Sequence, residues 1–223
     1  MPPPFSPSVA PYVIVNCAMS ADGKIASVLR RQTAISSAED LRRVHQLRGS
    51  VDAVLVGVGT VLADDPKLTV NWDVAGLPPR EQPLRIAMDT RGRTPDTAAI
   101  LHPPGKTLMA TGTDCAQTWP NAEVWRGGKD RVDLKGLLQM LEGRKVRRLL
   151  IEGGSEVIWS FLESDCVDEF KVFVGNLILG GSTAPTPAGG GGVKNLEQAV
   201  RLRLEASRIL DGGVLLEYLV IRG

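Results

Sequence analysis

The 223-residue chain carries 26 Lys and Arg against 25 Asp and Glu, a net charge of +1, which excludes a global field for nucleic acid or an anionic membrane. Its apolar share, 43%, is enough to bury the core of one large domain. Three widely spaced cysteines, Cys17, Cys115 and Cys166, with no C-x-x-C pair exclude a disulfide framework and a zinc site, and point to a reducing compartment such as the cytoplasm.

The first residues, MPPPFSPSVAP, are proline-rich and lack the basic start and apolar middle of a signal peptide. They read as a loose tail over 1–11, followed by a single domain over 12–223. YVIVNCAM (12–19) reads as a strand. SSAEDLRRVHQLRG (36–49) reads as a helix opened by a capping box, Ser36 as N-cap and Glu39 three residues on. Two basic clusters, Arg42, Arg43 and Arg48, then Arg144, Lys145, Arg147 and Arg148, read as solvated faces.

The stretch VDAVLVGVGTVLADDPKLTV (51–70) takes a buried strand into Gly57-Val58-Gly59-Thr60. A dinucleotide fingerprint wants a third glycine where this chain has Leu62, so a plain glycine turn into a short helix stays open. Asp64-Asp65-Pro66 stops that helix. LRIAMD (84–89), TLMATG (107–112) and AEVWR (122–126) read as strands, DLKGLLQMLEG (133–143) as a helix, and RRLLIEGG (147–154) as a strand into a turn.

IEGGSEVIW (151–159) is the second glycine turn. Gly153 and Gly154 let an anion approach the backbone, and Ser155 and Glu156 open a helix with Ser155 as cap or phosphate donor. Glu156 is expected to point away from a phosphate. Ligands of a parallel sheet sit beyond the carboxyl ends of its strands, so a nucleotide spanning both turns is reasonable. No acidic ribose reader follows the first loop, which favours NADP over NAD. DEFKVFVGN (168–176) is a strand, and GGSTAPTPAGGGG, with Gly189 to Gly192, reads as a flexible connector. RLRLEASRI and VLLEYLVIR flank Asp211-Gly212-Gly213, an antiparallel hairpin. The whole is α/β: a mixed, mainly parallel sheet with helices on both faces.

Several motifs occur together: NCAMSADGKIA (16–26), DLRRVHQLR (40–48), VGVGTVLADDPKLTV (56–70), IEGG (151–154), VDE (167–169) and LGGSTAPT (179–186). In this order they resemble the reductase family of riboflavin biosynthesis over nearly the whole chain from Tyr12. The resemblance implies a dihydrofolate-reductase-like three-layer α/β/α fold, NADPH as cofactor, a homodimer, and reduction of 2,5-diamino-6-ribosylamino-pyrimidinone 5′-phosphate to its ribityl product. The zinc deaminase often fused to this domain would show H-x-E and P-C-x-x-C, which are absent. That favours the diamino substrate of stand-alone reductases over the deaminated one.

Residue by residue, the resemblance places Thr60 and Asp64 against NADPH. Gly153, Gly154, Ser155 and Glu156 fall at its pyrophosphate, and Ala18 and Thr90 close to it. Arg48, Leu68 and Glu152 fall near the substrate, with Asn16 and Asn71 as further candidates. Arg48 suits a phosphate because its guanidinium fork spans two oxygens. Glu152 and Asp65 are the candidate acids; a hydrogen-bond anchor and a turn cap, respectively, are their other readings. Asp22 reads as a turn residue, Lys24 as reaching an anion, and His45 as packed or on the helix surface. A dihydrofolate reductase, which would use an acid on the first helix (Glu39 or Asp40 here), and a non-enzymatic NADP sensor are the alternatives.

Overall fold

The computed structural model describes residues 11–30 and 34–222. The expected tail lies outside the described residues except for Pro11, which is buried. The rest is built on one nine-stranded sheet. Its strands in chain order are β1 (Tyr12–Met19), β2 (Ala53–Gly57), β3 (Leu84–Met88), β4 (Thr107–Thr111), β5 (Glu123–Arg126), β6 (Arg148–Ile151), β7 (Glu169–Gly175), β8 (Arg201–Leu210) and β9 (Gly213–Ile221). In space they run β5-β4-β3-β2-β6-β1-β7-β9-β8. Every pairing from β5 to β7 is parallel, and β9 and β8 close the edge antiparallel, as the hairpin signal implied.

The central strands are near-continuous apolar runs because both faces are covered. Five α-helices among the described residues join them: α1 (Ala38–Arg48), α2 (Val58–Asp64), α3 (Trp72–Ala75), α4 (Leu134–Gly143) and α5 (Ser155–Glu163). On one face Val13, Val15, Leu55, Leu149 and Ile151 pack against Leu137 and Leu141 of α4 and Ile158 and Phe161 of α5. On the other, Ile14, Val54, Val56 and Leu150 pack with Val61 of α2 and Leu47 of α1. Alternate side chains of each strand thus feed separate cores, giving the three layers expected.

Three local readings need correction. The cap of α1 is Ser37, whose hydroxyl accepts from Asp40 N–H at 3.1 Å; Glu39 instead accepts from Asp211 N–H at 2.9 Å and ties the helix to the hairpin tip. The cap of α5 is Gly154, with no side-chain cap, so Ser155 is the first helical residue. The glycine run is not a free connector. Gly189 N–H donates to the Ser155 carbonyl, and Gly190 N–H to Glu156 Oε1 at 3.2 Å. A Cβ on Gly190, whose φ is +69°, would strike the Trp159 ring, so glycine is required where this loop lies on α5.

Arg85 of β3 is 1% exposed and has no carboxylate partner among the described residues. Its guanidinium donates instead to four carbonyls, those of His102 and Gly105 at 2.8 Å and those of Lys67 and Lys106 at 3.4 Å.

Candidate functional site

A cleft of about 1750 Å³ opens at the carboxyl ends of β1, β2, β3 and β6, the end at which parallel α/β sheets bind ligands. It is lined by Asn16, Ala18, Arg48, Thr60, Asp64, Leu68, Thr90, Glu152, Gly153, Gly154, Ser155 and Glu156, twelve of the fourteen residues expected from sequence.

Asp65 and Asn71 are not brought to it. Asp65 ends α2 in a left-handed conformation (φ +42°), and its carboxylate accepts from Ala99 N–H at 2.7 Å, so it is a turn residue and is withdrawn as an acid. Asn71 caps α3, accepting from Val74 N–H at 3.2 Å, and its own N–H donates to His45 Nδ1 at 3.1 Å. That bond makes His45 an acceptor. Burial, then the charge of Arg48, lower its pKa, with Glu152 partly opposing them.

Arg48 and Glu152 are joined to each other in the cleft. Arg48 Nε and Nη2 meet Glu152 Oε1 and Oε2 at 2.8 and 2.7 Å, and Nη1 donates to the Thr69 carbonyl at 3.0 Å. The fork expected to hold a phosphate is therefore spent on a carboxylate, and the phosphate reading of Arg48 is corrected. Burial works against the Arg48 charge, but Glu152's charge and hydrogen bonds outweigh it, and its pKa rises. Arg43 also turns inward, to Asp40 and Asn16, rather than lying on a solvated face.

The two glycine turns line another part of the cleft. Gly57 N–H donates to the Gly153 carbonyl at 2.8 Å and joins them. Gly153 has φ +122° and its peptide to Gly154 is cis. A Cβ on Gly59 would meet nothing within 4 Å, one on Gly153 only Thr60 Oγ1 at 3.9 Å, and one on Gly154 only the same atom, at 3.1 Å. Bare backbone thus borders open space, and α5 starts there with Ser155 and Glu156 N–H groups uncapped by any side chain. This cradle fits a dinucleotide pyrophosphate. Glu156 Oε1 accepts from Gly190 N–H, and both residues line the cleft.

The missing third glycine has a substitute. A Cβ on Gly57 would lie 2.5 Å from Val157 Cγ2, so it is Gly57 that lets β2 and α5 approach closely. Gly57→Ala is expected to raise the dissociation constant of a nicotinamide cofactor about tenfold by pushing α5 off the turn. Adding Val157→Ala should restore most of the affinity, which a titration of nicotinamide fluorescence reads directly.

Also at the cleft, the 20–25 turn is strapped to the 177–186 loop. Asp22 accepts from Ser20 Oγ at 2.6 Å, Leu179 N–H at 3.1 Å and Gly180 N–H at 2.7 Å. The Ser20 bond, with those backbone bonds, holds its pKa down at about 2. Lys24 lines the cleft, with Nζ 3.5 Å from the Ala184 carbonyl. Cys17 lines it too, but burial pushes its thiol up to about 12, so it is no nucleophile. Sequence reasoning missed Arg30, Arg91, Arg93, Arg131 and Lys135, cleft-lining cations with no acidic partner among the described residues. Scattered single charges gave no local pattern to find them by.

Among the described residues no cluster of His, Cys, Asp or Glu suits a metal ion, and no helix is long and apolar enough to cross a membrane.

The chain is 41% identical over 215 residues to the 2,5-diamino-6-ribosylamino-4(3H)-pyrimidinone 5′-phosphate reductase of Methanothermobacter thermautotrophicus, covering 94% of this chain and 98% of that one. It is similar in structure, with a TM-score of 0.81 and 25% identity, to a Thermotoga maritima diaminohydroxyphosphoribosylaminopyrimidine deaminase/5-amino-6-(5-phosphoribosylamino)uracil reductase. That match covers 95% of this chain and 57% of the longer one. A dihydrofolate reductase from Enterococcus faecalis, 11% identical with a TM-score of 0.51 and covering 94% of this chain and 96% of that one, shares the fold. The family model described as the RibD C-terminal domain matches residues 11–216, and the chain belongs to that family.

Proposed function

We propose that this protein is the NADPH-dependent reductase that converts 2,5-diamino-6-ribosylamino-4(3H)-pyrimidinone 5′-phosphate to its ribitylamino product in riboflavin biosynthesis. The observation that carries the reading is one cleft that holds both a bare glycine cradle and the Arg48–Glu152 clamp. The archaeal relative, matched along almost its whole length, bears the name of that diamino-substrate enzyme.

The substrate is an N-glycoside of ribose 5-phosphate. Its ring opens when the ring oxygen gains a proton and the exocyclic nitrogen loses one, leaving an imine at C1′. When bound, NADPH supplies the hydride to that carbon, and the nitrogen takes a proton. The protein's part is positioning and exclusion of water. Gly153, Gly154, Thr60 and the start of α5 hold the pyrophosphate, and Ala18 and Thr90 line the rest of the cofactor site. Arg91 and Arg93, just beyond β3, take the 2′-phosphate and set NADPH over NADH. Leu68, 2% exposed with φ +54°, supplies an apolar surface for the pyrimidine. Glu152, fixed by Arg48, accepts hydrogen bonds from it. Lys24 and Arg30 attract the 5-phosphate that Arg48 is too committed to hold. Asp64 lines the cleft where Asp65 does not, and replaces it as the carboxylate for proton delivery.

The reading includes a cytoplasmic homodimer. Edge strand β8 leaves Leu202, Leu204 and Ile209 exposed, which supports a second copy on that edge. Against dihydrofolate reduction, the first helix offers no acid to a pterin. Asp40 is buried against Arg43, and Glu39 is tied to Asp211.

The test is loss of nicotinamide absorbance when purified protein, NADPH and the ribosylaminopyrimidine phosphate are mixed. Turnover preferring the diamino form is expected. NADPH binding without oxidation by either the diamino or the deaminated form would leave an NADP sensor and sink the assignment.

A further inference from the structure

Asn16 and Glu152 are neighbours on one face of the sheet. β1 and β6 pair in parallel with Ile14 opposite Leu150 and Val15 opposite Ile151, and Asn16 and Glu152 each follow by one step. Each is met from α1 by an arginine, Glu152 by Arg48 and Asn16 by Arg43. The second contact has a consequence the first does not. A guanidinium only donates, so the Arg43 Nη2 contact at 2.8 Å must be to the oxygen of the Asn16 amide. The Asn16 NH₂ group is thereby turned the other way. It has no partner among the described residues, is not sealed from solvent, and belongs to a residue that lines the cleft.

Arg43 is in turn held. Its Nε donates to Asp40 Oδ1 at 2.8 Å, and Asp40 is 1% exposed. The other Asp40 oxygen is buried with no partner among the described residues. A buried carboxylate half satisfied is costly to the fold, and the helix is already capped by Ser37. Helix formation therefore does not account for the Asp40–Arg43 pair. What the pair does accomplish is to fix which end of the Asn16 amide meets Arg43.

We propose that Arg43, braced by Asp40, is a positioning residue that turns the Asn16 amide so that its NH₂ donates to a carbonyl or hydroxyl oxygen of the substrate, beside the acceptor Glu152. This rests on the reductase reading above. An adjacent donor and acceptor match the edge of a cyclic amide, the C=O and N–H of a pyrimidinone ring.

The test is steady-state kinetics of the full chain with NADPH and the ribosylaminopyrimidine phosphate. Arg43→Met is expected to raise KM for the pyrimidine about tenfold, leaving KM for NADPH unchanged, as loss of one oriented hydrogen bond predicts. Arg43→Lys should recover most of it. Asn16→Asp, which replaces the donor by an acceptor, should cost about a hundredfold, the sum of the lost bond and a repulsion. The deciding variant is Arg43→Met added to Asn16→Ala: acting through Asn16, it should have no further effect on KM. An unchanged KM in Arg43→Met, or its full effect repeated on the Asn16→Ala background, overturns the proposal. Asp40→Asn, which keeps the volume, serves if Arg43→Met does not fold. A rise of about threefold is expected, and no change counts against the relay. Failure of the wild-type protein to oxidise NADPH would sink the reductase reading itself, whereas wild-type turnover with an indifferent Arg43 sinks only this inference.

Discussion

Glu152→Gln is expected to lower kcat/KM for the pyrimidine at least about a hundredfold while the chain stays folded. Glutamine keeps the volume and one acceptor but loses the charge. Arg48, whose side chain is only 17% exposed, then keeps one acceptor in place of two and an uncompensated charge. Breaking one side of such a pair costs more than the pair is worth intact, because the remaining charge has lost its solvent and its partner together. Part of the loss will appear as stability, since Arg48 also holds the Thr69 carbonyl. The rest should appear in turnover, since Glu152 lines the cleft. Arg48→Met should behave in the same direction, and the double variant should be little worse than either single one. A Glu152→Gln enzyme with wild-type kcat/KM in the absorbance assay would show that the clamp merely braces the fold.

Arg85→Met is expected to have the largest effect on stability, roughly 3 kcal/mol, or about 10 °C in melting temperature for a domain of this size. Burial lowers the pKa of Arg85, so the environment resists its charge. It is retained because four carbonyls, from Lys67, His102, Gly105 and Lys106, converge on one planar group. Methionine fills most of the space and satisfies none of them. Arg85→Lys should rescue little, because one ammonium cannot reach four oxygens spread over two loops. Lys67 precedes Leu68, so the pyrimidine KM should also drift upward. Unchanged calorimetric melting of Arg85→Met would mean that the four carbonyls find other donors.

The parts of the fold that were legible in the sequence are those written locally. Apolar runs such as AVLVG mark strands buried on both faces, and the Asp211-Gly212 turn marks the hairpin. Most of the cleft was legible as well, since glycine turns after parallel strands must lie at one end of the sheet. What was missed depends on residues distant in sequence. The Arg48 fork looked free because Glu152, its partner, lies 104 residues away. Asp65 and Asn71 looked available because their bonds to Ala99, 34 residues on, and to His45, 26 residues back, need the folded chain. The role of Gly57 lies in Val157, on a helix far along the chain. Ser36 and Ser37 are alike as local signals, and only the pull of Glu39 toward the hairpin tip distinguishes them. The four-residue α3 is too short for periodicity to mark.

The strand order carries a consequence for biosynthesis. β1 and β2 are made early but do not touch; β6, made much later, lies between them and pairs with both. While the ribosome is still short of Arg148, the two early strands have no common neighbour, and neither glycine turn has its counterpart. Such non-local pairing delays folding and leaves apolar strand edges open in the meantime. Ribosome-bound chains stalled within α4 should therefore remain protease-sensitive and bind no nicotinamide cofactor, and a translational pause there would lengthen the time spent on chaperones.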